Sequence, residues 1–411
     1  MTTITQTILY IFLYISLFFE VVILTSFFEG REKMKEEEDS EPSVFPSVTI
    51  AVPVWNEQET LAGTLESLLA LDYPKDKLHI VVVNDGSTDN TLQIANNFSH
   101  HPQIEIIDKE NGGKHTAVNL VLEQSTSDLF GCLDADSFVD TSTLKTIVKY
   151  FEDPDTMAVT PCLKVMNPET LLQRLQAVEY TMGVFLKRVF GNLNSIQVTP
   201  GPFSLFRKKV FDDLGPYRKA HNTEDFEIAL RMHLHHYKIV NSHKAFVYTK
   251  TPRNVRALLK QRVRWTQGSI QNLLDYREMF FKKEYGNFGL FILPMIFFFI
   301  FLTLYTTSFI ALNLLKLLTK KIEYILTAGF HPSTWTYSFD TFYINTEAVV
   351  FLTILFLVMS MTLFRYGRQI AEEKTSPKHF VYFLLMYGFI APLWVWKSVY
   401  NTITNTKNTW R

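Results

Sequence analysis

The sequence predicts an α/β domain with a largely parallel sheet, joined to an α-helical transmembrane region. Strand and helix signals alternate from Ser47 to about Asp136, and this alternation is typical of a parallel sheet with helices on both faces. Apolar, phenylalanine-rich runs lie at both ends of the chain, which favours membrane helices around one soluble domain. A length of 411 residues has room for both parts.

Each predicted strand is a short apolar run bounded by turn residues. The first is β-branched and lies between prolines, and Asn56 after it is a candidate cap for a helix with leucines on one face. A Gly-Ser-Thr-Asp turn follows the second strand, and Gly112-Gly113 opens the helix after the third. The predicted strands are residues 48–54, 79–83, 104–107 and 129–133.

Charge and cysteine content argue against several classes of protein. The formal net charge of -1 gives no support to nucleic-acid binding. Cys132 and Cys162 lie in apolar runs and are predicted to be buried, reduced thiols. No spacing of cysteine and histidine fits a zinc site.

Four apolar runs are candidates to cross a membrane. The first could instead be a signal peptide, but no basic residue precedes it and no small-residue cleavage site follows it. Glu20 within that run is expected to face another helix, protonated or hydrogen-bonded. Apolar residues also recur at helical spacing from Leu171 to Val189, which predicts either an interfacial helix or a core helix. The four runs are residues 9–28, 288–315, 348–364 and 380–399.

Basic residues predict the orientation in the membrane. Arg31, Lys33 and Lys35 follow the first run and nothing basic precedes it, so the N-terminus is expected outside and the soluble domain in the cytoplasm. Basic residues at 365–378 form a second predicted cytoplasmic loop. Three full spans after the soluble domain would leave the C-terminal tail outside. If one of these segments is re-entrant, the tail would lie in the cytoplasm instead.

Polar residues follow three of the predicted strands, at the edge where such sheets bind ligands. Trp55-Asn56-Glu57 follows the first strand, Asp85 the second, and Asp134-Ala135-Asp136 the fourth. There is no Gly-x-Gly-x-x-Gly or Walker A sequence, so a nucleotide diphosphate needs positive charge from another source. A divalent cation held by paired carboxylates can supply it. A helix-capping loop is the alternative for Asp134 and Asp136, and a simple turn is the alternative for Asp85.

Two further motifs follow. Thr223-Glu224-Asp225 precedes a predicted helix from Phe226 to His236, where acidic residues also stabilise a helix N-terminus without any chemistry. Gln261-Arg262-Val263-Arg264-Trp265 lies in an amphipathic stretch from Val255 to Leu274. Arginine can clamp a diphosphate and tryptophan can stack on a sugar. An interfacial helix with basic and aromatic anchors is the alternative.

Four of these motifs occur in an order, followed by membrane segments, that resembles the processive membrane glycosyltransferases of family 2, which include cellulose, chitin, hyaluronan and poly-N-acetylglucosamine synthases. The four are Asp85, Asp134-Ala135-Asp136, Thr223-Glu224-Asp225 and Gln261-Arg262-Val263-Arg264-Trp265. The resemblance covers residues 45–270 well and the membrane part in outline. It implies a glycosyltransferase-A fold and inverting transfer of a sugar, with N-acetylglucosamine as first choice, from a UDP-sugar to a growing β-linked exopolysaccharide extruded across the plasma membrane. The implied partners are the donor, the polysaccharide acceptor, the lipid bilayer and, as a candidate, an accessory membrane subunit.

The resemblance also implies a role for each motif. Asp225 is the general base supported by Glu224. Arg264 contacts the diphosphate, Asp85 bonds to the uracil or ribose of the donor, and Trp265 stacks on the sugar at the acceptor end. Asp136 and Asp134 bind Mg2+ or Mn2+. A structural role is the alternative for Arg262. The implied substrate-binding residues are Trp55, Asn56, Glu57, Asp85, Lys114, Asp134, Gln261, Arg262 and Trp265.

Two other functions compete with polymer synthesis. One is a non-processive transferase that glycosylates a polyprenyl phosphate, and the motif from Gln261 to Trp265 argues against it. The other is a membrane transporter or sensor with an inactive sugar-nucleotide domain, and the presence of Asp136 and Asp225 argues against it. The predicted division of the chain is a transmembrane helix at 1–30, a charged linker at 31–44, the glycosyltransferase-A domain at 45–250, interfacial helices at 251–285 and a region of about three spans at 286–411.

Overall fold

The computed structural model of the chain describes residues 3–30, 41–329 and 348–406, so most of the predicted linker at 31–44 lies outside the described residues. An α/β domain precedes long apolar helices, which confirms the predicted fold class. The strands are β1 Val48–Val54, β2 Leu78–Asp85, β3 Ile104–Lys109, β4 Leu129–Cys132, β5 Ser137–Val139, β6 Thr156–Val165, β7 Leu205–Arg207 and β8 Lys238–Thr249. The helices are α1 Thr3–Glu29, α2 Leu61–Leu69, α3 Thr91–Asn96, α4 Lys114–Gln124, α5 Thr143–Val148, α6 Leu171–Asn192, α7 Lys208–Leu214, α8 Glu224–Leu234, α9 Val255–Asp275, α10 Leu293–Ala328, α11 Ala348–Ile370 and α12 Pro377–Ile403.

Within the described residues the strands form one sheet in the order β3-β2-β1-β4-β7-β6-β8-β5. The first four strands are parallel, as the alternating pattern predicts. β7 is antiparallel to β4 and β6, and β5 is antiparallel to β8, so the second half of the sheet is mixed. β5 and β7 span only three residues each, too few for an alternating pattern to show in the sequence.

The core lies on both faces of this sheet. Ile50 and Val52 of β1 belong to one buried cluster with the leucines of α2. Ala51, between them, belongs to a second cluster that also contains residues of α4, α6 and α8. Successive strand residues point to opposite faces, so a strand covered on both sides must be apolar throughout.

The helix after β1 begins later than Asn56 would allow as its cap. α2 starts at Leu61 and is preceded by Thr60. Asn56 instead adopts a φ of 55° and bonds to the loop after β2. The predicted cap is therefore wrong, because the amide of Asn56 has a partner that is distant in sequence.

Four helical segments of the described chain are long and apolar enough to cross a membrane. α1 packs against α6 and α11, and Ser360 donates a hydrogen bond of 2.6 Å to Glu20 Oε1. That contact is the bonded state expected for a carboxyl inside an apolar run. A π-helical turn at Phe288–Ile292 leads into α10, and Pro392 lies within α12.

Both ends of α12 contact helices that flank the sheet. Near its start, Phe380 packs with Val178 of α6 and Phe364 of α11. Past its end, Gln267 of α9 donates to the carbonyl of Thr406 at 2.8 Å. The last described residues of the chain therefore lie against α9.

Candidate active site

The carboxyl ends of β1 and β4 bring the first motifs together. The strand order changes direction between them, since β2 and β3 lie on one side of β1 and β4 lies on the other. Ligands bind at such a switch point in open α/β sheets. Trp55 follows β1 and Asp134-Ala135-Asp136 follows β4, so the sheet order alone puts these residues at one crevice.

Hydrogen bonds join the loops after β1 and β2. The N–H of Thr88 donates to Asn56 Oδ1 at 2.8 Å, and the N–H of Asn56 donates to Ser87 Oγ at 3.0 Å. The N–H of Glu57 donates to Thr91 Oγ1 at 2.8 Å. Asn56 and Glu57 therefore fix the shape of this edge of the crevice.

The carboxylate of Asp85 holds the loop after β3. Oδ1 accepts from Lys109 Nζ at 2.5 Å and from the N–H of Gly112 at 2.9 Å, while Oδ2 accepts from the N–H of Gly113 at 2.9 Å. Gly113 has a φ of 92°, which suits glycine and directs its N–H to the carboxylate. Both oxygens of Asp85 are thus engaged, and a donor that bonds to Asp85 must share or displace these contacts.

Lys114 links the motif after β4 to Thr223-Glu224-Asp225. Its Nζ lies 2.5 Å from Asp134 Oδ1 and 3.6 Å from Glu224 Oε1. Burial lowers the pKa of Lys114, but the nearby carboxylates outweigh burial and hold this pKa well above its usual value. Lys114, Glu224 and Asp225 line one cavity, which Thr199, Gly201 and Tyr217 complete.

A loop before β7 closes over this cavity. The N–H and Oγ1 of Thr199 donate to the carbonyl of Asp225 at 3.2 and 2.9 Å. A Cβ on Gly201 would lie 2.6 Å from Lys114 Nζ and 3.2 Å from Asp134 Oδ2. A larger residue at this position would require the Lys114 side chain to move, so glycine lets the loop approach the Lys114–Asp134 pair this closely.

Asp225 is a partly buried carboxylate at the start of α8. α8 begins at Glu224, two residues before the predicted start, so both acids lie in its first turn. Burial, Glu224 and Asp134 raise the pKa of Asp225 to about 6, against the lowering effect of Lys114 and Arg264. A carboxylate whose pKa approaches the working pH can accept a proton efficiently.

Asp136 is a partly buried carboxylate with other carboxylates beside it. Burial, Asp134 and Glu57 raise its pKa to about 7. In the part of the chain that the structure describes, no set of three or more His, Cys, Asp or Glu side chains is arranged to hold a metal ion. The Asp134 and Asp136 pair does fit a divalent cation that takes its remaining ligands from a diphosphate and water.

α9 brings Arg264 into the same electrostatic environment as Asp225. The charge of Arg264 lowers the pKa of Asp225, and Arg264 Nη1 donates to the carbonyl of Asn222 at 3.4 Å. A Cβ on Gly268 would lie 2.5 Å from Thr223 Oγ1, so this glycine lets α9 pack directly on the loop before α8. The contact places Arg264 at the acidic end of α8.

The neighbouring residues of α9 face a different partner. Arg262 Nη2 lies 2.7 Å from Glu179 Oε2 of α6, and Arg262 Nη1 donates to Gln261 Oε1 at 3.0 Å. The Arg262 guanidinium lies 4.4 Å from the ring centroid of Trp265. These contacts favour the structural alternative for Arg262 over a direct contact with substrate.

Lys109 and Glu179 are among the residues at the site that were not singled out from the sequence. Lys109 ends β3 as an ordinary charged residue, and nothing local indicates its bond to Asp85. Glu179 is an acidic residue in the middle of an amphipathic helix, and this charge is the sequence feature that could have indicated a buried partner. The roles of Lys109 and Glu179 can be recognised only once the strands and helices have packed together.

Comparisons with known proteins agree with this geometry. A family model described as glycosyl transferase family 2 matches residues 49–215. The poly-beta-1,6-N-acetyl-D-glucosamine synthase of Staphylococcus epidermidis is 30% identical over 320 residues, which cover 77% of this chain and 74% of that protein. The enzyme of the same name from Staphylococcus aureus (strain COL) is 32% identical over 268 residues, which cover 64% of each chain.

A solved structure shares the fold. The mannosyltransferase from Pyrobaculum calidifontis, in complex with GDP-Man and Mn2+, has a TM-score of 0.57 at 17% identity and covers 96% of this chain and 99% of its own. The shared fold, the family model and the apolar helices together describe a membrane-bound glycosyltransferase. The chain belongs to glycosyltransferase family 2, among the processive membrane synthases that its motifs resemble.

Proposed function

We propose that this chain transfers N-acetylglucosamine from UDP-N-acetylglucosamine to the end of a growing β-linked polysaccharide and extrudes the product across the plasma membrane. The observation that carries the proposal is the grouping of Lys114, Glu224 and Asp225 in one cavity, with Asp134 bonded to Lys114. The 30% identity to a poly-beta-1,6-N-acetyl-D-glucosamine synthase over 77% of the chain supports this donor and this product.

In the proposed reaction Asp225 accepts the proton of the acceptor hydroxyl as that oxygen attacks the anomeric carbon. The bond from the anomeric carbon to the diphosphate breaks in the same step, so an α-linked donor gives a β-linked product. The N–H of Phe226 donates to Asp225 Oδ1 at 3.0 Å and orients the carboxylate. A pKa of about 6 leaves Asp225 mostly ionised at neutral pH.

Positive charge stabilises the leaving nucleotide diphosphate, on the side of the anomeric carbon opposite the acceptor hydroxyl. Arg264 can offer two parallel N–H donors to the diphosphate, and Lys114 fixes Asp134 in place. When bound at Asp134 and Asp136, a divalent cation (Mg2+ or Mn2+) neutralises charge on the diphosphate. Glu224 supports Asp225 by holding Lys114 on its second side.

We place the catalytic domain in the cytoplasm, because the basic residues Arg31, Lys33 and Lys35 follow α1. The contact between Thr406 and Gln267 supports the re-entrant alternative, in which the end of the chain lies on the catalytic side. α12 would then run along α6 and α9 instead of separating its two ends across the bilayer.

The test is a transfer assay with the full-length chain in lipid nanodiscs, supplied with labelled UDP-sugars and Mg2+ or Mn2+. The expected product is a long polymer made from UDP-N-acetylglucosamine, with β-linkages in the linkage analysis and no synthesis after chelation of divalent cations. A labelled single-sugar lipid would instead support the polyprenyl-phosphate transferase. Absence of transfer from every UDP-sugar would support the inactive sugar-nucleotide domain.

A further inference from the structure

Three helices meet at one carboxylate beside the candidate active site. Glu179 Oε2 of α6 accepts from Arg262 Nη2 of α9 at 2.7 Å and from the hydroxyl of Tyr387 of α12 at 2.9 Å. We call Glu179, Arg262 and Tyr387 the three-helix cluster. Arg262 is 4% exposed and Tyr387 is 7% exposed, while the Glu179 side chain is 32% exposed, so the cluster is shielded from water except at Glu179.

Both terminal nitrogens of the Arg262 guanidinium are engaged by protein side chains. Nη2 bonds to Glu179 and Nη1 bonds to Gln261, at 2.7 and 3.0 Å. A planar guanidinium with both terminal nitrogens engaged is fixed in orientation as well as in position. Arg262 therefore differs from Arg264, whose charge reaches Asp225.

The fixed guanidinium also contacts Trp265, which lies one helical turn further along α9. Its carbon lies 4.4 Å from the centroid of the Trp265 ring, within the range of a cation–π contact. With one face of the ring against Arg262, an acceptor sugar can stack only on the opposite face. The position of that face is set by where Glu179 holds Arg262.

The cluster and a candidate metal ligand both act on the side chain of Tyr180. Burial is the main cause that raises the pKa of the neighbouring Tyr180 to about 12, the positive charge of Arg262 lowers it, and the carboxylates of Glu179 and Asp136 raise it further. Tyr180 thus experiences both the cluster and a candidate metal ligand.

We propose that the three-helix cluster is a positioning device for the acceptor, in which Glu179 and Tyr387 hold Arg262 so that Arg262 presents Trp265 to the terminal sugar. Arg262, Glu179 and Tyr387 are positioning residues and do not touch substrate. The inference rests on the proposed function, since it takes Trp265 as the acceptor platform. Weakening the cluster should therefore lower the affinity for the acceptor and leave the affinity for the donor unchanged.

The test compares Glu179→Gln, Arg262→Lys and wild-type protein, each full-length in nanodiscs. We expect the KM for a short N-acetylglucosamine oligosaccharide to rise about tenfold, because small misplacements of a binding group are costly, while the KM for UDP-N-acetylglucosamine stays as in the wild type. Calorimetric titration of the oligosaccharide without donor should show the same loss of affinity. Tyr387→Phe removes one bond only and should show a smaller change of the same kind.

The chain offers a matched control in the pair of Glu169 and Arg253. This ion pair also connects the segments that lead into α6 and α9, but its side chains are 67% and 66% exposed. Exposed pairs contribute little, so Glu169→Gln should leave both KM values unchanged. A control that behaves like Glu179→Gln would overturn the proposal.

The remaining outcomes are also decisive. If the folded Glu179→Gln and Tyr387→Phe proteins keep the wild-type acceptor affinity, or if donor KM rises equally, the cluster has only a structural role. If Glu179→Gln does not fold, Tyr387→Phe decides by the same criterion. If wild-type protein binds the oligosaccharide but transfers no sugar, the proposed function fails while the titration still tests the cluster.

Discussion

The donor side and the acceptor side of the candidate site are assembled over very different distances in sequence. On the donor side, Asp85 bonds to Lys109 and Gly113, which are 24 and 28 positions away. On the acceptor side, Glu179 bonds to Arg262 and Tyr387, which are 83 and 208 positions away. Strand topology builds the first set, whereas packing of helices from separate parts of the chain builds the second.

This difference has a functional consequence. Apart from Arg264 on α9, the donor residues lie at or near strand ends whose neighbours are fixed by the sheet, so their geometry survives small shifts of the membrane helices. The acceptor residues depend on how α9 sits between α6 and α12, so their geometry is sensitive to those helices. Mutations should therefore separate into those that affect donor KM, those that affect acceptor KM, and those at Asp225 that affect the chemical step alone.

The largest expected effect is at Asp225, which lies between the two sides. Asp225→Asn should lower kcat by about 10²–10⁴-fold, the usual contribution of a general base, because an amide cannot accept the proton. Binding of UDP, measured by calorimetry, should persist. Asp212→Asn is the control, since Asp212 is an exposed carboxylate that pairs with Lys208 on the surface. Unchanged turnover in Asp225→Asn would remove the base assignment.

The next effect is on the donor side. Asp85→Asn weakens the charge-assisted bonds that hold the 109–113 loop and should raise donor KM by about tenfold or more, as expected for a bond to a charged group. Acceptor KM should stay constant. Lys109→Gln should reproduce the direction of the change, and an effect of either substitution on acceptor KM alone would break the comparison.

A smaller effect is expected on the acceptor side at Trp265 itself. Trp265→Ala removes the stacking surface and should raise acceptor KM by up to about tenfold, the scale of an aromatic contact. Donor affinity, measured with UDP alone, should be preserved. A loss of UDP binding instead would assign Trp265 to the donor side.

The smallest expected effect is on the pH dependence. Burial and Glu224 raise the pKa of Asp225 to about 6, and the base acts only when it is ionised, so activity is present above this pKa and is lost as pH falls through it. The initial rate should fall about twofold from its plateau at pH 6, where half of the base is protonated. Initial rates from pH 5 to 8 at saturating substrate would measure this fall. A flat profile down to pH 5 would contradict the raised pKa of Asp225.

Much of the donor side could be predicted from the sequence because its signals are local. The buried strands are continuous apolar runs, and polar residues at their ends must meet at one edge when the strands are parallel. Asn56 shows the limit of this reasoning, since its partner Thr88 follows a different strand and no local pattern distinguishes it from a helix cap. The antiparallel strand β7 was not predicted for a related reason. It has only three residues, too few to show a periodic pattern.

The sequence by itself determined the parallel half of the sheet, the apolar helices and the residue types that carry the chemistry, because periodicity and residue type act over a few neighbouring positions. Only the tertiary structure decided that Lys114 joins Asp134 to Glu224, and that Arg262 faces Glu179 while Arg264 is near Asp225. These partners are chosen by burial and charge across elements distant in sequence. The pairing is set when the helices pack against the sheet, and no local pattern records it.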